Sequence, residues 1–461
     1  LRATEELIQK SYPDIPVNSI LKDLSKWSAA VFRKHKNAWS LFSGSDLDLN
    51  IEIEKSISEI GDNFETVIQS IPQIPPVLAK RHYFKTGTLR WFDIQFTHIN
   101  SLNKTLTNHE KEKNIGTFFI TLYDNQDQIV SQAEKWHEIY KNEKSRGITL
   151  LAIIENNYSV KKIALEIAAL DRIKAREPAL QHDPVARREL EARIRILNEE
   201  LDSQIFDSLN KSQWICINNN KQYELQGISE LASLLSDSFY PNTPKIYNEL
   251  VNKDKPSAIA VGASKNLLRA IIENSHLKDL GIKDYPAELA IYKSIIEKNN
   301  IHGKIDHGFG FIEIKNFKEP FLTKLAENFF SYLEANHERK VSLREIASIW
   351  SAEPFGIKHG LIPILATIFY LSKNDSIALF VDDIFTGDFD EYAINRLYNN
   401  LGTISFRAIQ LGNISKTIMA EIAAISQSNI KEIDAKSVLA VVKPLVKFAF
   451  ELPSYLKRTD R

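Results

Sequence analysis

Two uninterrupted apolar segments constrain the fold of this 461-residue chain more than any other feature. Residues 117–123 and 148–154 are apolar at nearly every position, which is typical of strands that are covered on both faces. Between them, residues 128–143 carry a helical pattern whose apolar stripe includes Trp136 and Tyr140. A strand, a helix and a strand at this spacing predict a βαβ unit in an α/β domain, and residues 89–96 predict a further strand.

A pair of long helices is the next clear pattern. Ser159 is a candidate cap for a helix that ends near Arg176, and Asp183 followed by Pro184 is a strong signal for the start of a second helix. The second helix repeats apolar residues at spacings of three or four: Leu190, Ile194, Leu197, Leu201 and Ile205. The pattern predicts a coiled-coil-like helical hairpin.

The region near 336–410 has the order of a winged helix. Helices are predicted at 343–352 and 357–371, a strand at 377–381, a helix at 390–400 and a closing strand at 405–409. The would-be recognition helix carries only Lys358 and His359 as groups that suit a DNA groove. We therefore expect it to serve in packing or in docking a partner or the DNA backbone.

The length of the chain predicts two to four domains, because a single core seldom grows to this size. We expect a mixed α/β and predominantly helical fold with five regions: an α/β domain at 1–155, the helical hairpin at 156–213, a helical or mixed domain at 214–335, the winged-helix-like domain at 336–410 and C-terminal helices at 411–461.

Composition limits the classes of partner. The 58 Lys and Arg residues nearly balance 59 Asp and Glu residues, so any grip on nucleic acid is expected to be local. Cys216 is the single cysteine and lies in an apolar run, which predicts a core thiol and a reducing, cytoplasmic location. No apolar stretch has the length of a membrane span, so we expect no membrane contact.

Three carboxylates form the sharpest candidate for catalysis. Asp46 and Asp48 share a face if their segment is extended, and Asp93 lies on a predicted neighbouring strand. Such a set suits Mg²⁺ in a divergent nucleotidyltransferase or nuclease. The alternative is a capping box, with Ser45 as N-cap and Asp48 three residues on, before a helix that closes at Gly61.

A basic and aromatic cluster precedes the strand at 89–96. The cluster predicts a contact with phosphate or with a nucleic-acid backbone. One lysine of the predicted winged helix is a further candidate for this contact. The alternative is that these residues form the solvent-exposed face of a β-hairpin whose turn is Thr86-Gly87. The candidate contact residues are Lys80, Arg81, His82, Lys85, Arg90 and Lys358.

Other polar groups favour structural roles. The arginines of the second hairpin helix, Arg187, Arg188, Arg193 and Arg195, are expected to pair within the helix, as in Glu189–Arg193 and Glu191–Arg195. His302, Asp306 and His307 lie in a glycine-flanked loop without further metal-ligand types nearby. Gly262-Ala263-Ser264-Lys265 lacks the second glycine and the final Ser or Thr of a P-loop, so we expect no bound cofactor in this chain.

Six phrases of the sequence resemble the middle and C-terminal part of very large bacterial ATP-binding proteins. They are residues 42–49 (FSGSDLDL), 79–93 (AKRHYFKTGTLRWFD), 183–192 (DPVARRELEA), 240–255 (YPNTPKIYNELVNKDK), 353–363 (EPFGIKHGLIP) and 452–459 (LPSYLKRT). Those proteins carry a P-loop domain nearer their N-terminus and are often linked to phage-defence loci, as are the BREX-type ATPases.

The resemblance implies that this chain is a non-catalytic regulatory or scaffold module of an ATP-driven antiphage protein. ATP and Mg²⁺ would then act in the full-length protein, outside this chain. The implied partners are the ATPase domain, other subunits of a defence complex, nucleic acid or a second copy of the chain. A start at Leu1 and a single methionine, Met419, agree with a fragment of a longer protein.

Overall fold

The computed structural model describes residues 3–27, 29–33, 37–41, 48–61, 67–68, 71, 73–108, 115–123, 125–142, 147–178, 180, 183–224, 227–306, 308–374 and 376–409. The chain divides into two compact units. The first unit comprises Leu1–Val77 and Trp91–Leu231, and the second comprises Leu78–Arg90 and Ala232–Arg461. The helices predicted at 411–461 lie outside the described residues.

The elements up to residue 239 alternate between helices and strands. In chain order they are α1 (Glu5–Ser11), α2 (Val17–Lys26), β1 (Ala30–Arg33), β2 (Ala38–Leu41), α3 (Leu49–Ile60), β3 (Val77–Leu78), α4 (Lys80–Thr86), β4 (Trp91–His98), α5 (Leu102–Asn108), β5 (Gly116–Leu122), α6 (Asp127–Asn142), β6 (Ile148–Ile153), α7 (Asn157–Arg176), α8 (Pro184–Lys211), β7 (Gln213–Cys216), β8 (Lys221–Glu224) and α9 (Ile228–Phe239).

The first unit is an α/β unit, and it also contains the helices predicted as a separate region at 156–213. Strands β4, β5 and β6 pair in parallel, and every residue of β5 and β6 is buried. Helix α6 connects β5 to β6, which confirms the predicted βαβ unit. Strands β7 and β8 continue the sheet in antiparallel fashion. Residues 213–224 therefore complete this sheet, and the predicted domain boundary at 213/214 is wrong because the pairing joins segments that are distant along the chain.

The helical hairpin forms from α7 and α8, which pack against each other. Oδ1 of Asp183 accepts hydrogen bonds from the backbone N–H groups of Val185 and Ala186, so the predicted cap of α8 is confirmed. Helix α7 begins at Asn157 and not after Ser159. Tertiary contacts explain the earlier start, because the Asn157 side chain bonds both the backbone N–H and the carbonyl oxygen of Tyr123.

The second unit contains α4 and the elements that follow α9. These are α10 (Ala258–Asn274), α11 (Ala287–Ile291), β9 (His302–Ile305), β10 (Gly308–Phe311), α12 (Pro320–Ala335), β11 (Val341–Ser342), α13 (Leu343–Ser351), α14 (Ile362–Ser372), β12 (Ile377–Val381), β13 (Ile384–Thr386), α15 (Glu391–Asn399) and β14 (Ile404–Ala408).

One hydrophobic core holds the second unit together. It runs from Ile246 to Ala408 and crosses the boundary predicted at 335/336, so residues on both sides of 335 share a core. An antiparallel sheet of order β11-β14-β12-β13 lies beside α13 and α14. The predicted order of helix, loop, helix and paired strands is present. The sequence analysis missed the short hairpin β12–β13, whose turn residues Asp382 and Asp383 both have positive φ.

Helix α14 begins five residues later than predicted, at Ile362. The preceding segment is held by contacts with another loop, since the N–H of Gly360 donates to the carbonyl oxygen of Lys253 at 3.0 Å. A Cβ at Gly360 would lie 2.3 Å from the carbonyl oxygen of Val251. Pro363, in the first turn, then suits a helix start.

Candidate functional site

Of the three carboxylates proposed for catalysis, the structure describes Asp48 and Asp93. Asp46 lies outside the described residues. Asp48 is the N-cap of α3, and its Oδ1 accepts hydrogen bonds from the N–H groups of Asn50 at 2.9 Å and Ile51 at 3.3 Å. Asp93 lies in β4 opposite Thr117. Asp48, not Ser45, is therefore the residue that caps this helix. Across the described ranges, no group of three or more His, Cys, Asp or Glu side chains is arranged to hold a metal ion.

The basic cluster at 80–86 forms the helix α4, so the predicted hairpin at this position is wrong. Gly87 ends the helix with a φ of 75°, and its N–H donates to the carbonyl oxygen of Tyr83 at 2.7 Å. A Cβ at Gly87 would lie 2.3 Å from the carbonyl oxygen of Ile246. Hairpin turns and helix C-termini both use glycine at positive φ, and the hydrogen bond from Gly87 back to Tyr83 shows that this glycine ends a helix.

Arg90 is the centre of a buried polar network and is 2% exposed. Its Nε donates to Nε2 of His82 at 3.0 Å, and its Nη2 donates to Oγ1 of Thr243 at 3.1 Å and to the carbonyl oxygen of Gly356 at 2.8 Å. We call Arg90, His82, Asp237, Thr243 and Gly356 the arginine network. Three of the six phrases that carry the resemblance, at 79–93, 240–255 and 353–363, meet in it.

The network determines the protonation of His82. A guanidinium group only donates hydrogen bonds, so Nε2 of His82 must accept and the ring proton must lie on Nδ1. Nδ1 then donates to Oδ1 of Asp237 at 2.8 Å. Burial, together with the nearby charge of Arg90, lowers the pKa of His82 to about 4 in spite of Asp237. His82 is therefore neutral at physiological pH.

The groups that contact the guanidinium of Arg90 are uncharged: the His82 ring, the Thr243 hydroxyl, the Gly356 carbonyl and the Tyr240 ring. Its guanidinium carbon lies 4.0 Å from the centroid of the Tyr240 ring, in a cation–π contact. Burial lowers the pKa of Arg90 to about 10, against the opposing influence of Tyr240 and Asp254. Gly356 has a φ of 63°, and a Cβ there would lie 2.3 Å from Nη2 of Arg90. Position 356 must therefore be glycine, because any side chain there would collide with the guanidinium group of Arg90.

A buried ion pair stabilises the segment before α14. Nζ of Lys358 lies 2.6 Å from Oδ2 of Asp254, and the Lys358 side chain is 7% exposed. Burial would raise the pKa of Asp254, but the hydrogen bond from His359 and the charge of Lys358 hold it well below its usual value. Burial lowers the pKa of Lys358. The pair holds two loops against each other. Lys358 is therefore buried and paired, and its ammonium group is not exposed for contact with a nucleic acid.

The remaining cations of the cluster lie on the solvent side of α4. Lys80 is exposed, and the side chains of Arg81 and Lys85 are 55% and 59% exposed. Phe84, on the same helix, is 75% exposed. We call Lys80, Arg81, Phe84 and Lys85 the α4 outer surface. His82 and Arg90, which were predicted with these cations, are buried beneath it.

The other sequence candidates are structural. Arg193 is buried and bonds Glu166 of α7 and Asn50 of α3, while Glu189 pairs with Arg33, so the predicted Glu189–Arg193 pair is wrong. His302 has both ring nitrogens engaged, by the hydroxyl of Tyr292 and the carbonyl oxygen of Ser275; His307 lies outside the described residues. Residues 262–265 lie within α10, and Cys216 is buried in β7.

A cavity of about 570 Å³ lies beside α12 in the second unit. Phe330 lines it, with Nζ of Lys373 4.2 Å from the ring centroid, and Glu327 and Glu334 lie at its side. Because charges of both signs surround this cavity, it favours no single class of ligand.

No protein-family model matches the chain, and neither a curated protein nor a solved structure matches it. Among the helices that the structure describes, none has the length and apolar character to cross a membrane. The functional argument therefore depends on the geometry of α4 and the arginine network.

The sequence analysis missed the partners of this network, Asp237, Tyr240, Thr243 and Asp254. Tyr240 and Thr243 lie in the segment YPNTP, which indicates only a loop, and Asp237 lies in the last turn of α9. A signal was nevertheless present. Arg90 falls within a predicted strand that is rich in aromatic and aliphatic residues. If such an arginine is buried it requires polar partners, and polar residues in a proline-rich loop can supply them.

Proposed function

We propose that this chain is a non-catalytic docking and scaffold module of a larger ATP-driven bacterial antiphage protein. The resemblance of the six phrases supplies the antiphage setting, and one observation carries the docking role: α4 is anchored by its buried side chains and carries charged side chains on its exposed face. His82 and Thr86 are buried, while the α4 outer surface is exposed. A helix held in this way binds a partner without the entropy cost of ordering its backbone.

The polar side chains beneath α4 support docking and not catalysis. Each polar group of the arginine network hydrogen-bonds another part of the chain, and Lys358 is engaged by Asp254. The winged-helix-like assignment of residues 336–410 belongs to the same proposal. Residues Ile362–Tyr370 are all buried, so α14 would act as a core element and not as a groove-reading helix.

The test uses the complete gene that encodes this chain, expressed with its neighbouring genes in a phage-sensitive bacterium. Efficiency of phage plating is measured for the wild type, for K80E/K85E and for K283E/K324E, a matched reversal of two exposed lysines that are not part of α4. We expect the wild type and K283E/K324E to protect and K80E/K85E to lose protection with unchanged expression. Protection by K80E/K85E, or no protection by the wild type, would refute the proposal.

A further inference from the structure

The α4 outer surface adjoins a second exposed aromatic ring. Tyr247 is 47% exposed, and its hydroxyl donates toward the carbonyl oxygens of Phe84 at 3.0 Å and Lys85 at 2.8 Å. This hydroxyl contact attaches the Tyr247 ring to the C-terminal turn of α4. Two residues with exposed aromatic side chains, Phe84 and Tyr247, are therefore neighbours at the C-terminal turn of α4.

Positive charge surrounds these rings. Nζ of Lys298 lies 4.9 Å from the Tyr247 ring centroid, and the α4 outer surface adds Lys80, Arg81 and Lys85. Among the described residues, two carboxylates contact this surface. Asp237 lies 3.6 Å from Nζ of Lys85 and 3.7 Å from Nη2 of Arg81. Glu249 accepts a hydrogen bond from the hydroxyl of Tyr83, the residue before Phe84. Cations outnumber carboxylates here, although the chain as a whole has a formal charge of −1.

We propose that the α4 outer surface, with Tyr247 and Lys298, binds single-stranded nucleic acid, its bases stacked on Phe84 and Tyr247 and its phosphates against the lysines. Exposed rings beside cations are the combination that unpaired nucleotides require, because every base has a flat face and every linkage carries a negative charge. An acidic protein segment would satisfy the lysines but would leave both rings without a stacking partner. A duplex would hide its base faces. The inference rests on the proposed docking function and names the partner.

The test is fluorescence anisotropy of the purified chain with a labelled 20-nucleotide oligodeoxythymidine, a duplex of equal length and a labelled polyglutamate peptide, each at several salt concentrations. We expect the single strand to bind most tightly. F84A should weaken it by about 5- to 150-fold, the range for loss of one base–aromatic stack. K85A should reduce the slope of log affinity against log salt by about 0.7, as for loss of one phosphate contact on a single strand.

The matched control is K283A/Y285A, which removes an exposed lysine and a 97% exposed tyrosine of the same unit that are not part of the proposed binding surface. It should bind like the wild type. Equal affinity for single strand and duplex, or an F84A variant that binds the single strand normally, would overturn the inference. Tighter binding of polyglutamate that depends on Lys85 would also overturn it, yet would leave the docking function intact. The plating assay tests that function separately.

Discussion

Nη2 of Arg90 donates a 2.8 Å hydrogen bond to the carbonyl oxygen of Gly356, a residue 266 positions away along the chain. The same guanidinium bonds His82 in the helix that carries the docking surface. Arg90 thus joins α4 to the loop between α13 and α14, within one unit. A substitution at Gly356 should therefore displace Arg90 and, through its hydrogen bond to His82, perturb α4.

Replacing Gly356 by alanine should destabilise the protein by about 2–5 kcal/mol. The left-handed backbone costs a non-glycine residue roughly 1–2 kcal/mol, and the displaced guanidinium adds overpacking strain of about 1–3 kcal/mol. The control is G262A, a glycine within α10 whose Cβ would meet nothing within 4 Å. Urea denaturation should show a lower midpoint for G356A and an equal or higher midpoint for G262A. Equal stability of G356A and the wild type would contradict the placement of Arg90.

His82 should make stability depend on pH between 7 and 5. Its folded pKa of about 4 lies below the ordinary value of 6.5, so the unfolded chain binds more protons in this window and stability falls as pH falls. From these two values the expected loss from pH 7 to pH 5 is about 2 kcal/mol. Urea denaturation at both pH values measures it.

The variant H82Q should lose that part of the pH dependence, whereas H276Q, at an exposed histidine, should keep it. Other buried groups contribute a background common to all three proteins, including His302, whose pKa is lowered by burial. If H82Q and the wild type lose the same free energy from pH 7 to pH 5, the buried neutral state of His82 is refuted.

Lys358 should matter for stability and not for nucleic-acid binding. K358M leaves the Asp254 carboxylate partly buried and without its ammonium partner, and we expect a loss of about 2 kcal/mol. The double variant D254N/K358M should recover part of this loss, because no uncompensated charge remains. A double-mutant cycle from urea denaturation measures the coupling. Additive single effects, or weaker oligonucleotide binding by K358M, would argue against the structural role.

Asp48 should behave as a helix cap. D48A removes the acceptor for the first N–H groups of α3 and should cost about 1 kcal/mol, while D48S keeps a capping oxygen and should cost much less. Thermal unfolding of the three proteins provides the comparison. A D48S variant as unstable as D48A would show that the charge of Asp48, and not its capping geometry, is what the structure requires.

The α/β unit and the helical hairpin were predictable because their signals are local. An apolar run such as residues 117–123 can be satisfied only by burial on both faces, and Asp183-Pro184 stabilises a helix start wherever the helix packs. The start of α14 was predicted too early because Lys358 and Gly360 are held by the loop at 251–254. Such contacts leave no periodic pattern in the sequence.

The sequence by itself determined most of the helices and strands at 89–211 and 343–408, since burial patterns repeat over a few residues. Only the tertiary structure decided which of the basic side chains at 80–90 are buried and which are exposed. His82 and Arg90 are buried because Asp237, Thr243 and Gly356 supply hydrogen bonds from distant positions, whereas Lys80, Arg81 and Lys85 remain exposed. The physical reason is desolvation: a charged or polar group is stable inside a protein only where partners are already placed, and long-range folding places them.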